Sequence, residues 1–135
     1  MKIKLSDTAF MPERAHKTDA GLDLKSPYDV WIHPGEHKMI DTGVSVAIPD
    51  GYAGLLTSKS GLMSKGLTSR GTIDSSYRGS IRVVVYNHGT EGYAVHKGDK
   101  ITQMVLVPII TPDLEVVDEL NETDRGEGGF GSTGA

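Results

Sequence analysis

Gly71-Thr-Ile-Asp-Ser-Ser-Tyr-Arg-Gly79 sets a carboxylate, an aromatic ring and a guanidinium within five residues, on a bend bounded by glycines. Asp74 in such a bend can align and activate a water, and Tyr77 can pack on a sugar or a base. The plainer alternative is a β-turn that Asp74 forms and Arg78 closes as its ion partner. Thr57-Ser-Lys-Ser-Gly61 is a second polar group with one cation, placed where a short helix can open. The free amides of a helix start attract phosphate, and Lys59 with Ser60 adds donors. Otherwise Ser58 or Ser60 is an ordinary cap and Lys59 is solvated. In Gly98-Asp-Lys-Ile-Thr-Gln103 a glutamine stands inside an apolar run. Its amide needs hydrogen bonds there, unless Gln103 faces water on an edge strand.

The C-terminus reads Arg125-Gly-Glu-Gly-Gly-Phe-Gly-Ser-Thr-Gly-Ala135, with five glycines in eleven residues. Its own packing cannot fix such a segment, which predicts a flexible arm. Gly126, Gly128 and Gly131 have the spacing of a dinucleotide fingerprint, and Gly126 to Thr133 nearly spells a phosphate loop. Both motifs need a strand before and a helix after. The chain ends four residues past Gly131, and Ser132 stands where the phosphate-loop lysine belongs, so both are excluded. What remains is either a frayed tail or an arm that acts. Arg125, Ser132, Thr133 and glycine amides such as that of Gly131 can grip a phosphate, and Phe130 can cover a flat ring. His33-Pro-Gly-Glu-His37 has the i,i+4 spacing of a helical metal site, but Pro34-Gly35 forbids the helix and predicts a turn.

Composition narrows the scaffold. Seventeen glycines, eleven valines, nine isoleucines and eleven threonines stand against seven alanines in 135 residues, which favours strands over helices. Cysteine is absent, removing disulfides, thiol nucleophiles and cysteine-ligated zinc chemistry. A net charge of −4 argues against stable nucleic-acid binding. Met1 to Leu5 lacks the apolar core of a signal peptide and no apolar run approaches a membrane span, so the expected location is the cytoplasm, with no membrane association.

The apolar rhythm then places the elements. Alternation predicts strands at Ile3–Leu5, Val44–Ile48 and Ile81–Tyr86, with Ile81, Val83 and Val85 on one face. Further strands are expected at Val30–Ile32, Tyr52–Leu56, Tyr93–Val95 and Leu114–Val117, and a buried one over Ile101–Ile110. The single helix candidate is a turn or two at Ser60–Lys65. Short strands punctuated by Gly and Pro predict an all-β, jelly-roll-like β-sandwich over residues 1–120, followed by the arm at 121–135.

Together with Ala20-Gly-Leu-Asp-Leu24, these segments resemble, in order and wording, the five motifs of the homotrimeric dUTPase family. The resemblance runs from Thr18 to Gly134 and is most specific at Gly71–Ile81 and in the arm. It implies a trimer with three sites at subunit interfaces, each assembled from three chains, that hydrolyses dUTP to dUMP and pyrophosphate with Mg²⁺. By position, Asp74 would orient the attacking water and Tyr77 would stack on the deoxyribose and exclude a 2′-hydroxyl. Backbone at Gly71, Thr72 and Ile73 would read uracil in a tight hairpin. Lys59, Ser60, Gly61 and Gln103 would hold phosphates, and Asp23 would reach Mg²⁺ through a water. Phe130 would close over uracil while Arg125, Gly131, Ser132 and Thr133 grip the γ-phosphate. In two places the chain departs from the family pattern: Lys59 replaces the usual arginine, and Thr68 falls where a hairpin asparagine is frequent. The stretch Gly61–Asp74 is also shorter than usual. The rivals are a dCTP deaminase of the same fold and a regulatory protein that binds nucleotide without turning it over.

Overall fold

A computed structural model describes residues 1–134. Eleven strands and one helical turn follow in the order β1 (Lys2–Leu5), β2 (Gly21–Lys25), β3 (Val30–Ile32), β4 (His37–Asp41), β5 (Val44–Ala47), β6 (Tyr52–Thr57), α1 (Ser60–Met63), β7 (Leu67–Ser69), β8 (Gly71–Ile73), β9 (Arg82–Asn87), β10 (Tyr93–Val95) and β11 (Lys100–Pro108). They form sheets ordered β2-β11-β6-β8 and β4-β9-β7, plus the pairs β1-β5 and β10-β3, all antiparallel. The fold is all-β, as the composition predicts.

Period-two patterning drives the sandwich together. Val83 and Val85 on β9 and the preceding Ile81 are buried, while the alternate residues Arg82 and Tyr86 are exposed and Val84 is half-buried. They join Leu24, Ile32, Ile40, Ile101 and Met104 in one core. Burial of each such side chain is worth about 1.5–3 kcal/mol, offset largely by chain ordering. On β6, Gly54 is bare where a Cβ would meet Met104 Sδ at 2.7 Å, so β6 can lie close against the core. Turn chemistry sets the joints: Gly35 has φ +76° between β3 and β4, and the Glu36 carboxylate accepts from the His33 amide at 2.9 Å. His33 and His37 therefore flank a solvent turn.

Four strands escape the sequence pattern. β2 carries Asp23 between Leu22 and Leu24, and β4 buries only Ile40; β7 and β8 are three residues each. The expected strand Leu114–Val117 does not form. Leu114 and Val116 are 96% and 99% exposed, and no strand within the chain pairs with them. The last strand ends at Pro108, and past the bond from the Ile109 amide to Gly51 O the described residues carry no helix or strand. Among the described residues no helix is long and apolar enough to cross a membrane.

Candidate active site

Strand register builds the first half of the site. Gln103 on the central strand β11 lies opposite Asp23 on one side and Thr57 on the other, which puts the three in one row. Gln103 is thus not on an edge strand; its side chain is half-buried against Gly21. From Thr57 the chain turns into Ser58-Lys59-Ser60 and α1. Lys59, not a serine, occupies the helix cap position, and it makes no side-chain cap bond. Ser58 is engaged elsewhere: its hydroxyl donates to Ser69 O at 2.9 Å and accepts from the Ser69 amide at 2.8 Å. The Ser69 hydroxyl continues that link by donating to Thr102 Oγ1 at 2.9 Å, and the Thr102 hydroxyl donates to the Thr57 carbonyl at 2.9 Å. The Ser58–Ser60 loop is therefore pinned to β7 and β11 together.

Asp23 is the electrostatic centre of this row. Its side chain is only 3% exposed, and Lys59 Nζ bonds Oδ1 while Lys100 Nζ reaches Oδ2 at 3.0 Å. Burial pushes the carboxyl up, but the two ammonium groups outweigh it and hold Asp23 below the ordinary aspartate range. Lys100 is held above its ordinary value, chiefly by Asp23. Lys100 is a site member that its own motif does not announce, because its partner lies on β2 in another motif. A group depressed in the folded state stabilises above its unfolded pKa and loses that contribution as pH falls through the folded one. The thermal-midpoint gap between the native protein and Asp23→Asn should therefore narrow from about pH 6 to about pH 3 in chelator-treated protein. A gap independent of pH would contradict the pairing.

The second half of the site lies around β7 and β8. One residue, Arg70, joins them, yet β7 pairs with β9 and β8 pairs with β6. The expected tight hairpin is instead a corner between two sheets, since a one-residue connection leaves no turn by which β7 and β8 could pair with each other. Both are outermost strands, so each keeps one backbone edge free beside the corner. An open cavity of about 640 Å³ there is lined by Leu55, Ser58, Met63, Thr68, Arg70 and Thr72, with Gly71 at its wall. Thr68 Oγ1 lies 2.8 Å from His88 Nε2.

Asp74 follows β8 directly and is exposed. Arg78 does not pair with it; the guanidinium donates to Ser75 O at 2.6 Å and Tyr77 O at 3.0 Å, closing the turn on itself. The Tyr77 ring lies over Gly79, where a Cβ would sit 2.4 Å from its hydroxyl oxygen, and that hydroxyl donates to Ser80 O at 2.9 Å. Asp74 and the Ser58–Ser60 loop do not meet within one chain. Ile73 pairs with Gly54, so Asp74 lies toward the start of β6, whereas Ser58 leaves from its end. At the rise of a strand the separation along β6 is roughly 15 Å.

The arm stands apart from both halves. Its hydrogen bonds run within itself, as from Arg125 Nε to Gly128 O at 2.9 Å and from the Ser132 amide to Gly129 O at 3.0 Å. Phe130 is fully exposed and adopts φ +41°, while Ser132 and Thr133 face solvent and Gly131 takes φ +85°. For a metal, the described residues offer no cluster of three or more His, Asp or Glu side chains. Asp23, with both oxygens on lysines, does not form a cage for a bare ion; a hydrated ion could reach it through water only where a lysine gives up one oxygen.

Fold and site define a class: a β-sandwich of jelly-roll type with an ammonium- and hydroxyl-rich row near an edge-strand cavity. Within that class the chain belongs to the dUTPase family, whose model matches residues 7–134. It is 45% identical to the deoxyuridine 5′-triphosphate nucleotidohydrolase of Clostridium tetani over 139 aligned positions, covering 99% of this chain and 96% of that one. The Staphylococcus bacteriophage 80alpha dUTPase, solved with dUPNHPP, superposes with a TM-score of 0.94 at 39% identity, covering 99% of this chain and 98% of that one. A mutant dUTPase from phage phi11 of S. aureus, described as coordinating a structural Mg(II) ion, superposes with a TM-score of 0.81 at 39% identity over 87% and 96% of the two chains.

Proposed function

We propose that the protein hydrolyses dUTP to dUMP and pyrophosphate at sites shared between the copies of a homotrimer, acting in the cytoplasm on the free nucleotide pool. One observation carries the shared site: β6 separates Asp74 from the Ser58–Ser60 loop by roughly 15 Å, so one chain cannot bring both to a single α-phosphate. The exposed Leu114 and Val116 and the arm, whose hydrogen bonds among the described residues stay within it, support the same reading, since another copy can cover them.

In this reading Asp74 of one chain accepts a proton from the water that attacks the α-phosphorus. The bond from that phosphorus to the bridging oxygen breaks and pyrophosphate leaves. Gly71, Thr72 and Ile73 present the free edge of β8 to uracil, with Thr68 across the corner. Tyr77 lies against the deoxyribose where a 2′-hydroxyl would collide. Ser60 and Gly61 offer amides, Lys59 its ammonium and Gln103 its amide group to the phosphates of the adjoining site. Lys59 must then leave Asp23, which frees one carboxylate oxygen for a water of the magnesium shell. Asp23 would hold Mg²⁺ through a bound water, and the ion would supply charge neutralisation for the triphosphate oxygens. Arg125, Gly131, Ser132 and Thr133 grip the γ-phosphate, and Phe130 covers the base and excludes water.

Pyrophosphate release measured across dUTP, dCTP, dTTP and UTP tests the assignment. The expected result is turnover of dUTP at least a hundredfold above the others, since the uracil-reading backbone rejects the hydrogen-bonding edge of cytosine, the tight fit around the base rejects the methyl of thymine, and Tyr77 rejects the 2′-hydroxyl of UTP. Ammonia release from dCTP would make the protein a deaminase, and binding without turnover would make it a regulator.

A further inference from the structure

We propose that Asp41, at the end of β4 and outside every motif above, is a positioning residue for the Tyr77 ring. The inference rests on the reading of Tyr77 as the ring that excludes a 2′-hydroxyl. It concerns how that ring is held.

The turn from Ser75 to Gly79 is exposed and bonded mainly to itself, so it cannot set the ring's place alone. Two contacts fix the ring: bare Gly79 beneath it, and the Ser80 carbonyl that accepts from its hydroxyl at 2.9 Å. Ser80 is held in turn by Asp41, whose Oδ1 accepts from the Ser80 hydroxyl and, at 2.9 Å, from the Gly43 amide. Asp41 is itself fixed, because its amide donates to the Tyr28 hydroxyl at 3.0 Å and Arg82 Nε stands 3.7 Å from Oδ2. A line of contacts thus runs from the β4–β5 corner through Ser80 to the far end of the ring.

The fold does not depend on that line. Ile81, the next residue, is fully buried and donates to Val44 O at 2.7 Å, and its carbonyl accepts from the Thr42 hydroxyl at 2.7 Å. Loss of the Asp41 carboxylate therefore loosens Ser80 and Tyr77 while β9 stays in register. A steric gate is sensitive to displacements of an ångström or less, so selectivity should fall before catalysis does.

The test compares kcat and KM for dUTP and UTP in the full-length protein and in Asp41→Ala, Asp41→Asn, Ser80→Ala, Tyr77→Phe and Tyr77→Ala. Asp41→Ala should lower the preference for dUTP over UTP about tenfold while kcat on dUTP stays within about threefold. Ser80→Ala breaks the same line and should match it, Tyr77→Phe should lower the preference for dUTP over UTP in the same direction, and combining Asp41→Ala with Ser80→Ala should add nothing. Asp41→Asn keeps an Oδ1 that accepts both hydrogen bonds and should restore the preference. Should Asp41→Ala fail to fold, Ser80→Ala decides. Unchanged preference in Asp41→Ala and Ser80→Ala, with preference lost in Tyr77→Ala, overturns the bracing role and leaves the Tyr77 reading standing. Unchanged preference in Tyr77→Ala overturns both.

Discussion

Asp74→Asn should bind dUTP and assemble as the native protein does, yet hydrolyse it a hundredfold or more slowly, since a positioned base contributes about 10²–10⁴. The substitution is nearly isosteric, and the exposed carboxylate forms no ion pair with Arg78, so the turn keeps its shape. What is lost is the acceptor that aligns the water and takes its proton. Single-turnover kinetics with binding measured in parallel separates the two effects. Near-native turnover would remove Asp74 from the chemistry. Loss of binding with turnover would make it a structural turn former, the plainer alternative that its neighbours Ser75 and Ser76 also permit.

Removal of residues 125–135 should leave the thermal midpoint of the body within about 2 °C of the native value while hydrolysis falls about a hundredfold. The first expectation follows from the arm's hydrogen bonds, which stay within it, and from the exposure of Phe130, Ser132 and Thr133. The second follows from what the arm supplies: one guanidinium, two hydroxyls and glycine amides for the γ-phosphate, and a ring that keeps water off the base. Removing a single preorganised donor commonly costs 10²–10³ in rate. Phe130→Ala alone should give an intermediate loss. A large drop in midpoint on truncation would mean that the arm packs on the body, and unchanged turnover would make it a frayed tail.

Strands with strict alternation, such as Val44-Ser45-Val46-Ala47 leading into Ile48, were legible because burial on one face of a sheet imposes a period of two. β2 was not, because Asp23 sits in it as a buried carboxylate, and only Lys59 and Lys100, distant in sequence, make that tolerable. Leu114–Val117 reads as a strand and is none within one chain, since a pattern states only that a partner is needed and does not say in which copy it lies. The motif residues were legible by type. Their division was not, as the register of β6 against β8 alone places Asp74 and Ser58 at opposite ends of one strand. The one-residue corner at Arg70 was legible only as a shortened segment. That two sheets part there depends on pairing with β6 and β9. Asp41 carried no signal at all, because its partner Ser80 lies 39 residues away.

Two inactive variants, one Asp74→Ala and one lacking residues 125–135, test the shared site most directly when unfolded together, refolded and assayed on dUTP. If Asp74 and the arm of each site come from different chains, an equal mixture gives a site with intact copies of both about a quarter of the time. Activity should return to roughly a quarter of the native value, whereas preformed assemblies mixed without unfolding should at first recover none. Should each chain supply both its own Asp74 and its own arm, no mixture could work, and continued silence after proven subunit exchange would contradict the account.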